Sequence, residues 1–140
     1  MPNNLLREVK ESGDPVKEIA EENFSKWNDA LKTLDSEKVS DLYDPSASLL
    51  PTLSSEFKTN KESIKEYFDH FLQKNPVGEI VEQEIKSISP DCYLHSGLYN
   101  FEIESKDKKQ TIQARFSYVW QKNFNEEWKI IHHHSSLKPE

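Results

Sequence analysis

The first regular feature along the chain is a stripe. From Val16, apolar residues recur at Ala20, Phe24, Trp27, Leu31 and Leu34, with charged residues between them. Steps of three and four place these side chains on one face of an α-helix. A second, short helix is predicted in "SEKVSDLY", where Val39, Leu42 and Tyr43 share a face. Asp35 or Ser36 supplies its N-cap and Pro45 ends it. "ASLLPTLS" reads as a brief extended segment, because Pro51 pushes Leu50 away from helical angles. In "TNKESIKEYFDHFLQK", Ile64, Tyr67, Phe68, Phe71 and Leu72 fall at i, i+3, i+4, i+7 and i+8. This is a third helix, with Thr59 and Glu62 as a capping box and "NPVG" as its stop.

Beyond that stop the period changes to two. "GEIVEQEIKSIS" is a charged strand suited to a sheet edge. In "YLHSGLYNFEIE" one face carries Tyr93, His95, Gly97, Tyr99, Phe101 and Ile103. After the polar turn "SKDKK", the strand "TIQARFSYVWQK" sends Ile112, Ala114, Phe116, Tyr118 and Trp120 inward. "NFNEE" turns again and "WKIIHHHSS" returns. Consecutive strands with short turns form an antiparallel meander, and the helices pack on one face: an α+β fold. A twisted sheet curled over a long helix leaves a cone whose interior is a pocket. One domain is expected over 1–140, with 1–14 a loose extension.

Charge narrows the partners. With 18 basic against 25 acidic residues the chain carries −7, which disfavours nucleic acid and anionic membrane surfaces. No apolar run approaches a membrane span. The N-terminus lacks a basic flank followed by an apolar stretch, so it does not read as a secretory signal. The single cysteine, Cys92, forms no internal disulfide and no Cys-rich zinc site, and a cytoplasmic setting is expected.

Two features carry candidate chemistry. The inward positions are rich in hydroxylated aromatics, Tyr67, Tyr99 and Tyr118, where a plain core favours Leu, Ile and Phe. Against that, a tyrosine also serves to bury its ring and send its hydroxyl to the rim. The second feature is "HHHSS" inside the last strand. Alternation puts His132 and His134 on one face and His133 on the other. With a carboxylate, His132 and His134 make a three-ligand set for zinc or manganese. The alternative places them at a subunit interface. Lys129, Ile131, His133 and Ser135 share the opposite face; with Ile131 in the core, His133 and Ser135 look into the cone beside Tyr118. Thr52 joins them from the extended segment. Such a pocket has neutral donors and acceptors but no strong nucleophile, which suits a small polar or anionic ligand held by oriented dipoles.

"SASLLPTLS", "IKEYFDHFL", "SGLYNFEI", "ARFSYVW" and "HHHSS", in that order, resemble the iota-class carbonic anhydrases. These belong to the nuclear transport factor 2-like superfamily, close to the association (hub) domain of calmodulin-dependent protein kinase. The resemblance implies a cone with a curved, mostly antiparallel sheet wrapped over N-terminal helices. It implies a carbon–oxygen lyase that hydrates carbon dioxide to bicarbonate, working without a metal in some members and with zinc or manganese in others. In the metal-free picture the residues holding bicarbonate match Thr52 of "LLPT", Tyr67 of "YF" and Ser135 of "HHHSS". On that reading Phe68, Phe116 and Trp120 wall an apolar cavity, Tyr67 and Tyr118 donate to the substrate oxygens beside Tyr99, and His133 acts as base or shuttle. No metal is then required; the alternative is zinc or manganese at His132 and His134. Hub-type relatives place arginines in the pocket, whereas Arg115, the only arginine in the sheet, is turned away from Tyr118.

Two other classes compete. One is a non-catalytic association module that oligomerises and binds a small carboxylate. The other is an isomerase or dehydratase, which needs an inward Asp or Glu that the alternation does not supply. A homodimer is the expected minimum, formed through the outer sheet face carrying Val119, His132 and His134.

Overall fold

The computed structural model describes residues 15–139; the expected N-terminal extension, 1–14, lies outside them. Helix α1 (Pro15–Lys32) is followed by the short α2 (Ser36–Ser40), strand β1 (Tyr43–Leu50) and helix α3 (Lys61–Phe71). A 3-10 turn (Leu72–Lys74) leads to β2 (Val77–Ser89), β3 (Cys92–Ser105), β4 (Lys108–Lys122) and β5 (Trp128–Leu137). The five strands form one sheet in the order β1-β5-β4-β3-β2. Strands β2 to β5 pair antiparallel with their sequence neighbours, and β1 lies parallel to β5. β5 is therefore flanked on both sides, and β2 is the charged edge strand that the sequence suggests.

The helical stripe of α1 buries Ala20, Phe24, Trp27 and Leu31 against the concave face of the sheet, while Leu34 turns out to solvent at a left-handed φ of 61°. Trp27 is the hub of this packing. Its ring meets Phe68, Phe101, Tyr118 and His133 edge-on, with centroids 5.7 to 6.4 Å apart. Asn28 ties α1 to the start of β2, donating to Gly78 O at 2.8 Å and accepting from its N–H at 2.9 Å.

Three local expectations are corrected. Pro45 does not stop α2; the helix ends at Ser40 and Pro45 lies within β1. Tyr43 is thus a buried strand residue, paired with Ile130. The box at the start of α3 uses Asn60 and Ser63 instead of Thr59 and Glu62. The inward residue of β5 is Ile130, not Ile131. The β4–β5 register slips between Val119 and Trp120, so Ile131 bulges out and the parity of the strand resets. His133 and Ser135 still point into the cone because the slip precedes them.

Candidate functional site

The loop after β1 is closed by paired backbone bonds between Leu49 and Lys58, at 2.8 and 2.9 Å. That closure holds Thr52 over the open end of the cone. Tyr67, on α3, donates its hydroxyl to the Thr52 carbonyl at 2.8 Å and fixes the loop from the other side. β5 brings Ser135 up beneath the loop, and the Thr52 and Ser135 hydroxyls hydrogen-bond directly. Tyr99 reaches Ser135 from β3, two strands away, donating at 2.5 Å. The residue opposite Tyr99 on the intervening strand is the small Ala114, which leaves this path open.

His133 lies beneath this group, 2% exposed. Its Nδ1 is 2.8 Å from the Tyr43 hydroxyl and its Nε2 is 3.2 Å from that of Tyr99. Burial, reinforced by His132 and His134, holds its pKa well below the ordinary imidazole value. Burial also pushes the phenols of Tyr67, Tyr99 and Tyr43 up, so none of them ionises near neutral pH.

These groups border a cavity with about 20 Å3 open to the centre of a water-sized sphere, walled by Leu49, Phe68, Phe71 and Ile112. Among the described residues no Asp, Glu, Lys or Arg side chain lines it. Pro51, Thr52, Leu53 and Ser135 also line a wider groove of about 350 Å3 on the outer side, together with His134, Ser136, Ser54 and Glu56. The Thr52–Ser135 pair is thus a partition between an apolar hollow and a polar groove.

The structure brings Thr52, Tyr67, Tyr99, His133, Ser135 and Phe68 together. It does not bring Tyr118, Phe116 or Trp120 to the cavity wall. Tyr118 stacks on the His133 ring at 4.1 Å, and its buried hydroxyl makes no hydrogen bond to protein, so it is not a donor into the hollow. Phe116 stacks on Tyr99 and Trp120 on Tyr93, further along the sheet. His133, expected as base or shuttle, has both ring nitrogens on tyrosine hydroxyls. Arg115 faces outward, 3.4 Å from Ser136 Oγ.

Two contributing residues escape sequence reasoning. Trp27 reads as ordinary helix core, and Tyr43 reads as part of a helical face. Trp27 Nε1 donates to the Tyr43 hydroxyl at 3.2 Å, which links both to His133. Only the parallel pairing of β1 with β5, a contact between distant segments, exposes this connection.

For zinc or manganese the donor set does not fit. His132 and His134 sit on the convex face, with His132 Nδ1 2.6 Å from Ser48 Oγ. Among the described residues no His, Cys, Asp or Glu side chains gather in a group of three, whereas a catalytic zinc takes three protein ligands.

The curved sheet with helices in its concavity is the nuclear transport factor 2-like cone. A superfamily member from Salmonella enterica superposes with a TM-score of 0.77 at 18% identity, covering 91% of this chain and 94% of that one. The model of the calcium/calmodulin dependent protein kinase II association domain matches residues 16–139, and the chain belongs to that family. A Xanthomonas campestris protein provisionally assigned as such a domain is 42% identical, with a TM-score of 0.82 and 84% of each chain covered. The association domain of the Caenorhabditis elegans kinase has the same fold, with a TM-score of 0.73 at 20% identity over 89% of this chain and 98% of that one. Among curated proteins none matches.

Proposed function

We propose that the chain is an association-type cone that assembles into homo-oligomers and uses its cavity to hydrate carbon dioxide reversibly to bicarbonate, as an iota-class carbonic anhydrase. The observation that carries the catalytic part is the hydroxyl cluster of Thr52, Ser135, Tyr99 and Tyr67 at the mouth of a small apolar hollow. Thr52, Tyr67 and Ser135 are also the positions that the iota-class resemblance singles out.

Carbon dioxide is apolar and suits the apolar walls of the hollow. A water at the Thr52–Ser135 partition is oriented by those hydroxyls and attacks the carbon. As the new C–O bond forms, charge grows on the substrate oxygens and a hydroxyl proton of the pair stabilises it in a low-dielectric site. The proton lost from the attacking water passes to solvent in the outer groove, which the same pair lines. In this scheme His133 holds Tyr99 and so orients Ser135.

A second reading keeps the assembly and leaves the cavity silent. The family match over 16–139 supports association more directly than it supports catalysis. The half-buried Leu94, Leu98 and Val119 on the convex face suit an interface. A carboxylate in the cavity would be held, like bicarbonate, by hydroxyl donors alone, since no cationic side chain lines it.

Stopped-flow carbon dioxide hydration with metal-stripped protein separates the readings. We expect activity without metal, reduced at least about tenfold in Thr52→Ala and Ser135→Ala, the loss of one charge-stabilising hydrogen bond. Activity restored only by added metal would contradict the metal-free scheme. Folded, oligomeric and inactive protein under both conditions would favour the association module.

A further inference from the structure

We propose that Trp27 and Tyr43 set the direction of the hydrogen bonds running to the cavity, leaving one hydroxyl proton of the Thr52–Ser135 pair always free for a guest. The pair then offers one fixed hydroxyl donor to guests that accept a hydrogen bond, bicarbonate among them. This holds whether or not the cavity is catalytic.

The chain of contacts is continuous: Trp27 Nε1 to Tyr43 OH at 3.2 Å, Tyr43 OH to His133 Nδ1 at 2.8 Å, His133 Nε2 to Tyr99 OH at 3.2 Å, Tyr99 OH to Ser135 Oγ at 2.5 Å, and Ser135 to Thr52. Every member is buried. An indole N–H only donates. Tyr43 therefore accepts at that end, and its own proton goes to its other partner, Nδ1 of His133. A neutral imidazole has one donor and one acceptor, so Nε2 carries the hydrogen and gives it to the Tyr99 oxygen. The Tyr99 proton then goes to Ser135. Thr52 and Ser135 have two hydroxyl protons and one bond between them. Whichever of the two donates, one proton of the pair is left for a guest in the hollow or the groove that both side chains line.

Tyr67 adds no second donor, because its proton is used on the Thr52 carbonyl. The reverse direction would send Ser135 to Tyr99, Tyr99 to Nε2, and Nδ1–H to Tyr43. The Tyr43 oxygen would then accept from both the Trp27 N–H and Nδ1–H, and its own buried proton would have no acceptor. A donor-only group at the far end thus decides what the near end offers. With a hydroxyl or amide in place of the indole, either direction would be allowed.

The test is a long-range 1H–15N spectrum of the histidine side chains at neutral pH, with His133 assigned through its contact with the Tyr118 ring. His133 is expected as the Nε2–H form with a bare Nδ1. In Tyr43→Phe the lock is gone, and a mixture of both tautomers is expected. In the wild type, sodium bicarbonate is expected to shift the Thr52 and Ser135 amides, sodium chloride at equal ionic strength is not, and Tyr43→Phe weakens bicarbonate about tenfold. Nδ1–H or doubly protonated His133 in the wild type would overturn the proposal, as would no shift with bicarbonate beyond that with sodium chloride. The wild-type spectrum decides even where the variant does not fold. Failure of carbon dioxide hydration alone leaves these outcomes unchanged.

Discussion

Two histidines inside the cone are neutral, and that neutrality couples stability to pH. Burial holds His95 down to about 4, against a smaller opposing pull from Glu21. His133 is held well below the ordinary value, again by burial first. Once unfolded, both take up a proton below about pH 6.5. Between the folded and unfolded values the unfolded state binds more protons, so stability rises with pH and is complete above about 6.5. Each histidine contributes roughly 1.4 kcal/mol per pH unit in that window. Urea midpoints should fall from pH 7 to pH 5, above the main carboxylate range; equal midpoints would contradict the neutral pair. Tyr99→Phe should cost about 1–3 kcal/mol in denaturation, because it strands the His133 N–H and unlinks Ser135. Tyr118→Phe should stay within about 0.5 kcal/mol, since that hydroxyl has no protein partner; a large loss there would contradict the geometry. Alternation in "HHHSS" is enough to point His133 and Ser135 the same way. Which tyrosine reaches Ser135 is not a local property: it depends on Ala114 being small opposite Tyr99 and on β3 lying two strands from β5.

At the scale of elements, periodicity fails where local chemistry and pairing compete. The apolar steps of three and four locate α1 and α3, and alternation locates β3 and β4. Pro45 reads as a helix stop because proline lacks an N–H, yet it sits in an edge strand, where a proline is tolerated. Ile131 reads as core because the bulge that displaces it appears only in the pairing with β4. Gly97 marks a second irregularity. It adopts φ 156° where it pairs with Gln83, just past the bulge in β2, and a Cβ there would lie 2.0 Å from Glu82 O. Gly97→Ala should therefore cost at least about 2–3 kcal/mol or prevent folding. Asn60→Ala, which removes the cap accepting from Ser63 N at 2.8 Å, should cost only about 1 kcal/mol. Thermal unfolding of the two variants checks the order, and a larger loss in Asn60→Ala would contradict it.

The whole molecule combines a shared frame with a particular cavity. The frame belongs to the association-domain family, whose match covers residues 16–139. The fold and the kinship to the association domain were within reach of the sequence because the order of helices and strands is dense with pattern. Assembly was legible only as a face too apolar for water, in Val119 and its neighbours. Sedimentation at micromolar concentration should show a dimer or larger species, and Val119→Glu should shift it toward monomer; a monomeric wild type would remove the assembly. For the cavity, the direct measurement is exchange of 18O between labelled bicarbonate and water, followed by mass spectrometry on metal-stripped protein. Depletion of label well above the uncatalysed rate, lost in Ser135→Ala that still folds, is the predicted result. Depletion at the background rate with or without added metal would contradict it.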